Sequence, residues 1–172
     1  MWESKECKNK CCYVNIYNKK WKTSKEWEAE NPDKLVESRI RAGVLIHDPH
    51  TNRYLLIRSY GNLWGAPKGG VNDNETIYDA AKRELFEETG ISLDRLNIDL
   101  RKCPRYKIHN ATYFLLKLST DQCGEIKQDI NDENDASGWT WIKLDCIDCL
   151  ENLSGKKGVN ALTYQTRRLL FK

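Results

Sequence analysis

Residues 69–91 read GGVNDNETIYDAAKRELFEETGI, and their spacing decides the fold. Thr76 and Asp79 form a T-x-x-D variant of the capping box, which predicts a helix start. Gly90 stands where a helix end wants a residue tolerant of left-handed dihedrals. Between these marks there is room for a helix of about three turns. Ile77, Ala80, Ala81 and Leu85 follow the i, i+3, i+4 rhythm of an apolar seam. The two alanines are small enough to let that helix approach a sheet closely. On a separate stripe Glu84, Glu87 and Glu88 stand at i, i+3 and i+4, so their carboxylates are expected to converge. Like charges held that close repel one another, an arrangement that makes sense around a hard divalent cation such as Mg2+. A bare E-x-x-E-E is more often a solvated acidic face. The preceding loop and the flanking glycines set this one apart.

The whole pattern runs G-x5-E-x7-R-E-L-x-E-E-x-G-I through Gly69, Glu75, Arg83, Glu84, Glu87, Glu88 and Gly90. It resembles the Nudix box and matches it at every defined position. The resemblance covers residues 39–172. It implies an α/β fold, the Nudix-type α/β/α sandwich with a mixed central sheet and the box helix lying against it. The implied reaction is hydrolysis of a nucleoside diphosphate linked to another group. Mg2+ or Mn2+ would be held by Glu84, Glu87 and Glu88, with the Gly69 carbonyl as a further ligand. Arg83 is expected to be structural, holding Glu75 and orienting the box loop through a bidentate pair. Glu75 is then scaffold rather than ligand. Glu87 can take the proton from the attacking water. So can an acidic residue that, in many Nudix enzymes, returns to the metal six positions before a strand tryptophan. Counting back from Trp141 gives Asp135, and from Trp139 gives Glu133. Asp135 is preferred, because Trp141-Ile142-Lys143-Leu144 better matches the strand of that pattern.

Substrate choice has to be read outside the box. The approach SYGNLWGAPKGG (59–70) contains W-G-A-P-K-G, which resembles the W-G-F-P-K-G of mRNA-decapping Nudix enzymes. It is also similar to the W-x-x-P-K-G of diadenosine-polyphosphate hydrolases. It departs from the decapping pattern at Ala66 and at Gly70. Lys68 is a point charge well placed for a phosphate. Trp64 reads equally as core or as a substrate contact. Arg105, Lys107 and His109, on the connection between two expected strands, can face a phosphate-rich ligand or form a solvated basic edge. The leading expectation is removal of the 5′ cap of mRNA, m7GpppRNA giving m7GDP and 5′-monophosphate RNA. A dinucleoside polyphosphate or a diphosphoinositol polyphosphate is the alternative substrate. A non-catalytic Nudix-fold binding module is the alternative class, and the complete set of box carboxylates speaks against it. The partner is thus capped RNA or a nucleotide polyphosphate, and no protein partner is evident.

Composition is consistent with this. The 172 residues suit one domain plus an extension, divided at 1–38 (an N-terminal extension or lid) and 39–172. Charged residues make up 31% and apolar ones 40%, as in a soluble globular chain. The net charge of +3 permits a polyanionic partner without demanding one. No run approaches the ~20 apolar residues of a membrane span, and MWESKECKNKCC has no apolar signal core. Seven cysteines without an export signal predict reduced thiols and a cytoplasmic location. Cys7, Cys11, Cys12 and the pair Cys146-x-x-Cys149 are the right residue type for zinc, but neither end holds a complete ligand pattern.

Along the chain, Trp21, Trp27 and residues 24–30 predict a short helix in the extension, which packs as a lid or faces substrate through its aromatics and lysines. Residues 42–47 and 54–58 predict a hairpin around DPHTN. His47 and His50 are expected to be surface or packing residues. Residues 97–101 and 112–118 predict two strands. Residues 119–137 read as a polar, acidic loop, and 139–144 as an alternating strand. Residues 156–172 form a basic tail with a helix. There Leu162, Leu169, Leu170 and Phe171 pack down while Arg167, Arg168 and Lys172 stay exposed.

Overall fold

The computed structural model describes residues 1–18, 29, 39–59, 62–130, 136–151 and 155–171. Its strands are β1 (Trp2–Glu6), β2 (Tyr13–Tyr17), β3 (Arg41–Asp48), β4 (Arg53–Arg58), β5 (Trp64–Gly65), β6 (Lys68–Gly70), β7 (Arg105–Ile108), β8 (Ala111–Lys117) and β9 (Gly138–Ile142). Among the described residues these join in one sheet ordered β1-β2-β9-β4-β3-β8-β7, with β5 on β4 and β6 on β3. β3 pairs in parallel with β8, from Arg41↔Ala111 to His47↔Lys117, while its contacts with β4 and β6 are antiparallel. The sheet is therefore mixed, as expected.

Period-2 alternation builds the layers. From β3 and β4, Ala42, Val44, Ile46, Leu55 and Ile57 pack with Phe114 and Leu116 of β8 on one face. Leu45, Leu56 and Tyr113 point to the other face. Helix α1 (Ile77–Thr89) covers the first face with Ala80, Ala81 and Leu85, all fully buried. Loop segments and helix α3 (Tyr164–Leu170) cover the second, through Trp64, Leu150, Leu162 and Leu169. Burial of each large aliphatic or aromatic side chain contributes roughly 1.5–3 kcal/mol, which makes these two clusters the main stabilisation of the fold. The result is the expected α/β/α sandwich.

Three local readings differ from expectation. Residues 97–101 do not start a strand. Asn97 has φ of 56°, and Asp99 caps a 3-10 turn over Leu100–Lys102 by accepting from the Arg101 N–H at 3.0 Å. The strand comes later, at β7. The loop after β8 contains a short helix, α2 (Thr120–Cys123), closed by a reciprocal Ser119–Gln122 capping box. Phe171, expected to pack down, is 44% exposed. His47 stacks on Tyr54 with ring centroids 4.5 Å apart and bonds Asn52, while His50 is exposed; both lie in the β3–β4 hairpin.

Two strands of the N-terminal extension belong to the sheet. β1 pairs with β2, and β2 continues onto β9 through Val14↔Thr140 and Ile16↔Gly138. Trp21, Trp27 and, apart from Ala29, the helix expected over 24–30 lie outside the described residues.

Candidate active site

The capping chemistry of α1 fixes where its carboxylates stand. Thr76 Oγ1 accepts from the Asp79 N–H at 3.1 Å and starts the helix. Gly90, at φ of 78°, ends it, and its N–H donates to the Phe86 carbonyl at 2.8 Å. The alanine seam on β3 then fixes the rotation about the helix axis. That rotation turns the glutamates toward β6.

Contact there is close. A Cβ added to Gly69 would lie 2.1 Å from the Glu84 carboxyl carbon, so only glycine leaves space for that carboxylate. The Lys68 N–H donates to Glu88 Oε2 at 3.0 Å, and Glu88 is 7% exposed. The Glu84 side chain is also largely covered, at 13% exposure, whereas that of Glu87 is 51% exposed. Glu87 is the member of the set open to water and ligand.

Arg83 ties the box loop to the helix. Its Nε and Nη2 donate to the two oxygens of Glu75 at 2.8 and 2.9 Å, and Nη2 also reaches the Gly70 carbonyl at 2.9 Å. Nη1 bridges Glu84 at 2.8 Å and both Glu87 oxygens at 3.3 Å. Glu75 Oε1 accepts in addition from the Asn72 N–H at 3.0 Å. The Arg83 guanidinium holds the Glu75 carboxyl below its ordinary pKa, and Glu75 in turn raises that of Arg83. The three glutamates do not converge into a single cluster of ligand atoms. Two share Arg83 and the third turns to the β6 backbone. The reason is electrostatic: the nearest cation and the nearest amide donor offset charges that would otherwise repel.

Gly69→Ala separates site from fold. The new Cβ meets the far end of a flexible side chain, so the chain folds while the Glu84 carboxylate is displaced. Misplacement by an ångström costs on the order of 10²-fold in rate. We expect that loss in kcat with little change in melting temperature, read by steady-state assay and thermal denaturation.

The other candidate residues fall in distinct places. Of the two readings of Trp64, core or substrate contact, its burial matches the core. It has no exposed surface, its Nε1–H donates to the Glu151 carbonyl at 3.3 Å, and it packs in the core. Lys68 is half-buried on β6, beside Glu88. Arg105 donates to the Tyr78 hydroxyl at 3.0 Å, near the start of α1. Lys107 is exposed on the edge strand β7. Asp135 and Glu133 lie outside the described residues. The structure also joins two regions that the sequence kept apart. Tyr106, Lys107, Ile108 and His109 meet Arg168 and Phe171 around an open groove of about 460 Å³.

A mixed sheet covered on both faces thus carries a helix whose carboxylates dock on a glycine loop. Residues 37–161 match the family model described as the NUDIX domain, and the chain belongs to the Nudix family of hydrolases. It is similar to the RNA pyrophosphohydrolase of Edwardsiella ictaluri, at 32% identity over 124 residues, 60% of this chain and 68% of that protein. It is similar to the m7GpppN-mRNA hydrolase dcap-2 of Caenorhabditis elegans, at 39% identity over 67 residues, 37% of this chain and 8% of that protein. Among solved structures it resembles a bifunctional NMN adenylyltransferase/ADP ribose pyrophosphatase of Francisella tularensis, complexed with AMP and a Mn ion. That likeness has a TM-score of 0.55 and 20% identity, over 84% of this chain and 44% of that one. Nudix hydrolases in general depend on a divalent metal, and no helix among the described residues is long and apolar enough to cross a membrane.

Proposed function

We propose that this chain hydrolyses a phosphoanhydride bond at the 5′ end of RNA, and the cap in particular, releasing m7GDP and a 5′-monophosphate RNA. The observation that carries the reading is the likeness to proteins named RNA pyrophosphohydrolase and m7GpppN-mRNA hydrolase. The W-G-A-P-K-G approach and the groove lined by Lys107 and Arg168 support it, since a polyanionic chain needs cations along its path. The reading implies the cytoplasm, where reduced thiols and mRNA coexist.

The donor set fits Mg2+ or Mn2+: the carboxylates of Glu84, Glu87 and Glu88 and the Gly69 carbonyl are hard oxygen ligands. Bound there, the cation supplies charge neutralisation for the polyphosphate and a more acidic water. The chain's own residues do the rest. Arg83 keeps Glu75 and the Gly70 carbonyl through Nε and Nη2, so the loop holds its shape when Nη1 gives up Glu84 and Glu87. Lys68 meets substrate phosphate. Glu87, the most open carboxylate of the three, takes the proton from the attacking water; Asp135 is the second candidate, ahead of Glu133.

The test compares capped RNA, triphosphorylated RNA and diadenosine tetraphosphate with Mg2+ or Mn2+, products being identified by mass. The expected result is m7GDP from capped RNA, with affinity falling steeply as salt rises. Equal turnover of the short dinucleotide overturns the RNA assignment. Absence of metal-dependent turnover on every substrate favours a binding module instead.

A further inference from the structure

The cysteines at the two ends of the chain meet. The Sγ atoms of Cys7, Cys11, Cys12 and Cys146 all lie within 4.8 Å of one another. Cys7–Cys11, Cys7–Cys146 and Cys11–Cys12 are each 3.7 Å apart, and Cys11–Cys146 is 3.3 Å. A tetrahedral ion with metal–sulfur bonds of about 2.3 Å has sulfur–sulfur edges of about 3.8 Å. The four thiols therefore outline a tetrahedron of the right size for one ion, and one too small for a multi-iron cluster. We propose that Cys7, Cys11, Cys12 and Cys146 bind a single Zn2+ ion, which fastens the β1–β2 hairpin to the turn that follows β9.

The surroundings supply donors to the sulfurs. Cys7–Cys12 is a tight loop in which the Cys7 N–H donates to the Cys12 carbonyl at 2.7 Å and Lys10 adopts φ of 57°. That turn aims two amides at one sulfur: the Cys11 and Cys12 N–H groups approach Cys7 Sγ at 3.4 and 3.3 Å. Amide donors stabilise a negative sulfur far more than a neutral thiol. Asn9 Nδ2 stands 3.7 Å from Cys146 Sγ. Four thiolates around a divalent cation leave a net charge of two minus, and the exposed Lys8 and Lys10 flank it. Cys7, Cys12 and Cys146 are buried while Cys11 is half-exposed, which gives an ion a way in. An all-sulfur tetrahedron selects zinc or iron over magnesium, so this site and the carboxylate site do not compete for metal.

Beyond the pairing of β2 with β9, little apolar burial holds the hairpin. β1 is exposed along its whole length. Of residues 1–18 only Cys7, Cys12 and Val14 are buried, and two of these belong to the cluster. A two-stranded hairpin with so little apolar burial is marginal by itself. Thiolate ligation releases the thiol protons to water and couples the binding energy to folding.

The test uses the full chain, purified without chelator. Elemental analysis is expected to find one zinc per chain. Replacement by Co2+ should give the thiolate charge-transfer band and visible spectrum of a tetrahedral site, absent from oxygen-ligated cobalt at the carboxylates. Cys12→Ser and Cys146→Ser should lose both signals, whereas Cys123→Ser and Cys149→Ser keep them. Should the first pair fail to fold, titrating the wild-type chain with an organomercurial is expected to release the zinc as the cluster thiols react. Metal-free folded protein, iron in place of zinc, a mass deficit from disulfide formation, or zinc that survives in Cys146→Ser overturns the assignment. So does loss of zinc in Cys149→Ser.

Discussion

Glu87→Gln is expected to abolish turnover, with kcat falling by about 10²–10⁴-fold, the range for loss of a general base. The fold stays intact. The Glu87 side chain is half exposed and packs in neither core cluster. Its contact with Arg83 Nη1 is long, at 3.3 Å, and the amide oxygen of glutamine can still accept it. Exposed substitutions of this kind change stability by no more than roughly 0.5 kcal/mol. The variant therefore removes charge and basicity and little else. A metal titration separates those two. If Glu87 were a ligand only, raising Mg2+ would recover the rate by mass action. If it takes the proton, kcat stays low at saturating metal. Full activity of the variant with Mg2+ present sinks the proposed mechanism. Steady-state assays on capped RNA across a Mg2+ series, beside thermal denaturation, make the measurement.

The box helix was legible because its signals are local. Thr76, the alanine seam, the three glutamates and Gly90 lie within fifteen residues, and each determines its own backbone. The bidentate hold of Arg83 on Glu75 follows from residues that the same loop brings together. The bridge from Arg83 Nη1 to Glu84 and Glu87 was missed. Spacing along a helix says which carboxylates are neighbours and says nothing about the cation that sits among them. The short helix α2 had a readable signal in Ser119-x-x-Gln122, a capping box inside a stretch otherwise polar enough to pass as loop. For the cysteine cluster the residue types were readable at each end, and the meeting of the two ends was not. Cys12 and Cys146 are far apart in the chain, and they meet because β2 pairs with β9, a long-range pairing that no local pattern encodes. The groove between β7 and α3 was hidden for the same reason. Lys107 read as a phosphate contact or a solvated edge and Arg168 as an exposed charge, and only the fold set them on one opening.

Trp64→Ala is expected to destabilise the chain by roughly 3–5 kcal/mol, the cost of deleting a fully buried aromatic. At this chain length that lowers the melting temperature by roughly 6–20 °C. The indole has no exposed surface, and its neighbours lie in the core cluster shared with Leu162 and Leu169. The loop it anchors is held on both sides. The Thr163 N–H donates to the Trp64 carbonyl at 2.8 Å, and the Ala66 N–H donates to Thr166 Oγ1 at 3.0 Å. Losing the ring thus loosens the contact between β5 and α3 and the path into Lys68. Trp64→Phe keeps most of the bulk and loses the donor to the Glu151 carbonyl, at a cost of about 1–3 kcal/mol for a buried acceptor left unpaired. The KM for capped RNA should not change in Trp64→Phe, because a side chain with no exposed surface cannot stack on a base. A raised KM at unchanged melting temperature would restore Trp64 as a substrate contact. The expected outcome instead gives the tryptophan a structural function: it sets the loop that carries Lys68 to its place beside Glu88.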